Sequence, residues 1–255
     1  MEVWLIGKAD FSRTGTIDLV QLTAHPETFL QASSVGAVVQ DYRFTYPLKT
    51  FINPHHAFLD LTPSNSLLLL TAPGLLDHNR GEIMKGWLWK ADALKLYELG
   101  YYAEGDVLEL GTYAGLSTCI LAQAVIDSGR QGRVVPIDIA DFGWKANADL
   151  NHVSQRIDFQ LGPAIEKVQG LIAAGRKFGF LFVDHSHTYA EVAAICPLLD
   201  QVTMPGSFVQ FHDYNDSRNG CEPNYGVWQA VVDTLPTSFQ FYGVYGCSGV
   251  YRFTG

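Results

Sequence analysis

The segment Asp106-Val-Leu-Glu-Leu-Gly-Thr-Tyr-Ala-Gly-Leu-Ser-Thr118 constrains this chain more than any other. A short apolar run closes on a carboxylate, Glu109, and passes into a turn with Gly111 and Gly115. An apolar stretch of helical length follows. Such a pattern predicts a buried strand, a tight turn whose backbone can approach a ligand, and a helix that Ser117 can cap. It is neither GxGxxG nor a GxxxxGK[ST] phosphate loop, whose lysine is missing here. A carboxylate at the strand end suits a cationic or hydroxyl-bearing ligand better than a pyrophosphate.

Downstream the alternation is regular. Strands are expected at 106–110, 134–139, 157–161, 178–183 and 207–211, and helices at 117–127, 144–153, 163–173, 189–199 and 225–235. Pro197 should kink or break its helix, and 239–253 should form two strands with glycines allowing the turn. Residues 84–102 read as a helix with Leu88, Ala91, Leu94 and Leu99 on its inner stripe. Strands alternating with helices imply an α/β fold: a Rossmann-like, doubly wound, mostly parallel sheet ending in an antiparallel strand. The runs VLEL, VVPIDI and FGFLFV are apolar almost throughout, as strands covered on both faces must be. Residues 81–255 form this domain. Residues 1–80, punctuated by Pro26, Pro47, Pro54, Pro63 and Pro73, read as a loop-rich extension packed on it, or as an oligomer contact. His25, His55 and His56 fall there without an assigned role.

In an open α/β sheet, ligands sit beyond the carboxyl ends of the strands. Chemistry should gather at Glu109–Ser117, Asp138, Gly162, Asp184–His187 and His212–Asp213. Asp138, ending the second strand, can hold both hydroxyls of a ribose. Two neighbouring strand ends supply Asp184, His185, Ser186 and His187, and His212 and Asp213. Carboxylates with imidazole can hold a divalent metal, which acidifies a substrate hydroxyl.

Charge narrows the partners. The 255 residues carry a net charge of −9 and no Lys/Arg cluster, so phosphate backbones and anionic lipids are poor partners. The longest apolar run, Leu67–Leu70, is far too short for a bilayer, and the chain opens without a secretory signal pattern. The four cysteines form no CxxC pair and read as reduced structural thiols, with Cys119 and Cys196 in apolar runs. A cytoplasmic protein is the default expectation.

The stretch ExGxxxGxS, the acidic end of the second strand, and the segments VDHSHTY and FHDY resemble class I S-adenosylmethionine-dependent methyltransferases. They are most similar to a bacterial small-molecule group with D-x-x-H-x-Y after the fourth strand and H-D-Y after the fifth. The resemblance spans about 85–255. It implies that Glu109, Gly111, Thr112, Tyr113, Gly115, Ser117 and Asp184 surround the methionine and ribose portions. Asp138 would hold the ribose, Ile139 and Trp144 would flank adenine, and Gly162 would lie at its edge. It further implies methyl transfer to a small molecule, at a hydroxyl oxygen, with His187, Asp184 and His212 catalytic. Magnesium or manganese would bind at Asp184, His212 and Asp213. The related catechol-type enzymes carry a lysine where His187 stands and an Asp-Asn pair where His212-Asp213 stands. A nicotinamide-dependent oxidoreductase or epimerase, and a non-catalytic cofactor-binding member, remain alternatives.

Overall fold

The computed structural model describes residues 69–77 and 82–255. The histidines of the extension lie outside them. An antiparallel pair, β1 (Leu69–Asp77) and β2 (Glu82–Trp89), precedes helix α1 (Lys90–Tyr102). The helix expected from residue 84 thus begins only at Lys90. Local periodicity favoured helix, but residues 82–89 pair with β1 through the backbone, and tertiary pairing overrides propensity.

The main domain runs β3 (Val107–Leu110), α2 (Leu116–Asp127), β4 (Val134–Asp138), α3 (Trp144–Leu150), β5 (Gln160–Leu161), α4 (Ala164–Ala173), β6 (Phe178–Val183), α5 (Tyr189–Ile195), β7 (Thr203–Phe211), α6 (Val227–Thr234), β8 (Phe239–Tyr245) and β9 (Ser248–Phe253). The seven strands lie in the order β5-β4-β3-β6-β7-β9-β8. Five are parallel, and β9 runs antiparallel to both β7 and β8. Strand β8 therefore runs with the parallel strands, and β9 is the antiparallel strand expected near the C-terminus, joined to β8 in a hairpin. Helix α5 stops at Ile195, and a 3₁₀ turn at Cys196–Gln201 carries Pro197, which cannot continue an α-helical ladder.

Each face of the sheet has its own core. Val107, Phe180, Phe182 and Phe208 pack with α1 and α2. Leu108, Leu110, Leu181, Val183 and Val209 pack with α4, α5 and α6. The strand period of two therefore directs Glu109, Gln210 and His212 toward the α1–α2 face. Strand β3 starts the sheet, with β4 and β5 on one side and β6 and β7 on the other. That reversal of winding opens a crevice at the carboxyl ends of β3, β4 and β6.

Candidate active site

The glycine turn is stitched into this crevice. The Gly111 N–H donates to the Ile137 carbonyl at 2.8 Å, and the Asp184 N–H donates to the Leu110 carbonyl at 2.7 Å. Gly111 has φ +94°, and a Cβ there would lie 2.6 Å from the Asp184 carbonyl carbon and 2.8 Å from His185 Cα. Only glycine lets the turn and the β6 end approach this closely. Gly115, at φ +91°, is the N-cap of α2 with no side-chain cap. Ser117 is therefore not the cap. It lies buried inside the first turn and hydrogen-bonds Glu109.

Glu109 is fully buried, and its Oε2 accepts from Thr118 Oγ1 at 2.5 Å. Burial pushes its carboxyl up to about 8, so it is largely protonated at neutral pH. Its Oε1 has no hydrogen-bond partner. Asp138 behaves differently. One oxygen accepts from the Thr112 and Tyr113 amides, each at 2.8 Å, and the other accepts from the Ala140 amide at 3.2 Å. The carboxylate thereby fixes the turn it faces.

A cleft of about 350 Å³ opens beside the turn, lined by Gly111, Asp138, Ile139, Gly162, His185 and Glu191 among others. Four expected cofactor residues thus line it: Gly111, Asp138, Ile139 and Gly162. Thr112 is buried, whereas Tyr113 is exposed and packs against Phe142 with ring centroids 5.1 Å apart. Trp144 is buried against Phe159 and under Gly115, so it supports the turn from behind rather than lining the cleft. His185, one of the groups expected at the end of the fourth strand, also lines the cleft, and burial lowers its pKa.

The ends of β6 and β7 bring together four groups. His187 Nε2 lies 3.5 Å from Asp184 Oδ1 and 3.0 Å from Asp213 Oδ2. His212 Nδ1 lies 3.2 Å from Asp184 Oδ1 and 3.5 Å from Asp213 Oδ1. Asp213 takes φ +55°, a left-handed conformation that aspartate tolerates better than most residues. Hydrogen bonding to Asp184 raises the His187 pKa against a smaller opposing effect of burial. For His212 burial alone would lower the pKa, but Asp184 and the other negative neighbours overcome it and hold it well above its ordinary value. The carboxylates of Asp184 and Asp213 are correspondingly depressed, the histidines outweighing burial. From the polar loop after β7, Arg218 lies over the Tyr225 ring at 4.3 Å and pairs with Asp216 at 2.8 Å.

Behind His212 is a second buried group that sequence reading missed. Cys247 Sγ is 3.2 Å from His212 Nε2 and 3.5 Å from Asp92 Oδ2. Asp92, in the first turn of α1, also accepts from the Cys247 amide at 3.1 Å and from Ser248 Oγ at 2.5 Å. Burial pushes the Cys247 thiol up to about 12.

Residues 108–214 match a family model described as a methyltransferase domain. That stretch is similar to a methyltransferase domain. The match runs from the glycine-turn strand to Tyr214, and so contains both the cleft and the four-group cluster. The methyltransferase fold recurs in solved structures. An O-methyltransferase from Streptomyces achromogenes, involved in tomaymycin synthesis and solved with S-adenosylmethionine, superposes with a TM-score of 0.59 at 17% identity, covering 80% of this chain and 100% of that one. An O-methyltransferase from Bacillus cereus in complex with S-adenosylhomocysteine gives 0.52 at 14% identity, covering 92% and 100%. No curated protein matches the sequence. Among the described residues no helix is long and apolar enough to cross a membrane.

Proposed function

We propose that this chain transfers the methyl group of S-adenosylmethionine to a hydroxyl oxygen of a small-molecule acceptor. The observation that carries the reading is a juxtaposition. The cleft built on Gly111, Asp138 and Gly162 adjoins the Asp184–His187–His212–Asp213 cluster on neighbouring strand ends. The solved neighbours that are O-methyltransferases with this cofactor or its product support the same choice.

The residues present fit the cofactor. Gly111 leaves room that any Cβ would fill, and Glu109 Oε1 is a buried polar atom without a partner. Gly111, Asp138, Ile139 and Gly162 would hold the nucleoside portion, and Glu109 and Asp184 would face its cationic end. Bound there, the cofactor supplies an electrophilic methyl group. The chain's own work is then to orient the acceptor hydroxyl in line and to take its proton. His187 is suited to the second task, because it is the more exposed of the two imidazoles in the cluster. Its proton must leave before it can act, and Asp184 and Asp213 stabilise the imidazolium it becomes afterwards.

The cluster also fits a divalent ion. Donor atoms of Asp184, His212 and Asp213 lie within 4.8 Å of one another, and His212 Nδ1 is buried without a well-aligned hydrogen bond. Magnesium or manganese held there would lower the pKa of an acceptor hydroxyl. A cation at His212 Nδ1 must displace the proton that the carboxylates favour, so its affinity should rise with pH.

Calorimetry with S-adenosylhomocysteine tests the cofactor reading, with micromolar binding, about −8 kcal/mol, expected. Binding of NADH without S-adenosylhomocysteine would overturn it. Turnover with a chelator present, then with magnesium or manganese restored, separates the metal from the methyl transfer itself.

A further inference from the structure

The buried group behind the cluster links three distant parts of the chain. Asp92 belongs to the start of α1, His212 follows β7, and Cys247 lies in the turn between β8 and β9. All three are buried, with no more than 6% exposure. A carboxylate in such surroundings is costly unless donors surround it. Asp92 has three: the Cys247 amide, the Ser248 hydroxyl and the Cys247 thiol. The thiol has one proton. Its two carboxylate acceptors are Asp92 Oδ2 at 3.5 Å and Asp213 Oδ1 at 3.8 Å. With that proton committed to a carboxylate, the sulfur faces His212 as an acceptor, and the 3.2 Å contact must carry the Nε2–H.

We propose that Asp92 and Cys247 are positioning residues for methyl transfer, which fix the His212 ring with Nε2 protonated and Nδ1 turned toward Asp184 and Asp213. The inference rests on the cluster's role proposed above. The relay is the counterpart of an outer-shell carboxylate that sets the tautomer of a working histidine, with a thiol interposed. Of the two nitrogens of the His212 ring, it leaves Nδ1 facing Asp184 and Asp213, whether that atom carries a proton or holds an ion. Gln210 completes the arrangement by donating to Ser248 Oγ at 3.1 Å, holding the hydroxyl that Asp92 accepts.

The test uses the full chain and two readouts. Nitrogen-15 spectra of the metal-free protein without methyl donor report the state of each His212 nitrogen, read at alkaline pH where the ring has lost one proton and the tautomer is defined. Nε2 should have the signature of a protonated nitrogen, and Cys247→Ala and Asp92→Asn should shift it. Steady-state kinetics should show kcat lowered on the order of 10–100-fold in both variants, with S-adenosylhomocysteine affinity unchanged. Cys247→Ser, which retains one donor and one acceptor, should recover part of that loss. If Asp92→Asn does not fold, the two Cys247 variants decide the matter. A bare acceptor Nε2 in the unaltered protein overturns the proposal. So do folded variants with unchanged nitrogen signals and unchanged kcat. The spectra need no turnover, so failure of the methyl-transfer reading would leave the ring assignment standing.

Discussion

Gly111→Ala should be among the most damaging single-methyl additions in this domain, and its effect can be worked from the geometry. Glycine sits at φ +94°, and left-handed backbone costs an L-residue about 1–2 kcal/mol. The new Cβ would lie 2.6 Å from the Asp184 carbonyl carbon and 2.8 Å from His185 Cα. Those are backbone atoms of β6 and its exit, held in place by the Asp184 N–H bond to Leu110. They cannot rotate away as a side chain would, and overpacking of this kind adds about 1–3 kcal/mol. The sum, about 2–5 kcal/mol, corresponds to a Tm decrease of roughly 5–15 °C for a domain of this size. Gly175→Ala isolates the first contribution, since Gly175 has φ +66° and nothing within 4 Å of its would-be Cβ. That control should lose only the backbone share, about 1–2 kcal/mol. Differential scanning fluorimetry compares the two, and calorimetry with S-adenosylhomocysteine reads the cleft. Because the clash moves Asp184, cofactor binding should also fall by at least about tenfold, or 1.4 kcal/mol. A Gly111→Ala protein as stable as Gly175→Ala, with unchanged binding, would refute the close-approach argument.

Four further outcomes are expected. Asp138→Ala removes the acceptor for the Thr112, Tyr113 and Ala140 amides as well as for ribose, so cofactor affinity should drop by about 1–3 kcal/mol in calorimetry. His187→Ala should lower turnover on the order of 10²–10⁴. In the unaltered enzyme kcat/KM should climb with pH through a midpoint above 6.5, because the hydrogen bond to Asp184 and the neighbouring carboxylates raise the His187 pKa and only its neutral form accepts a proton; a profile that does not rise above pH 6.5 would remove it as the base. Deleting residues 1–80 should give an aggregating or inactive protein, because it takes away β1 and leaves β2 without its partner; size-exclusion chromatography and turnover of the truncated chain check this.

The order of strands and helices from residue 107 onward was legible because each element is written locally. Apolar runs such as FGFLFV, glycines at the strand exits and Pro197 act through backbone sterics and burial, which need no knowledge of distant residues. The carboxyl-end rule then placed Asp138, Asp184, His187, His212 and Asp213 at one crevice before any coordinates. Local reading failed at residues 84–89, where pairing with β1 decides for strand. It also failed to distinguish Ile139, which lines the cleft, from Trp144, which packs behind the turn, since both are apolar residues following the same strand. The deepest gap was Asp92. In sequence it is an acidic residue inside the helix read at 84–102, and such residues ordinarily face water. Only the fold brings it to Cys247, 155 residues away, and to Ser248, 156 away. The sequence by itself determined the alternation, the turn and the side chains offered at each strand end, because those follow from short-range geometry. Which of them share a proton, and what stands behind them, was decided by the tertiary structure. Such contacts depend on how α1 and the β8–β9 hairpin pack against β7, and no short-range pattern encodes that.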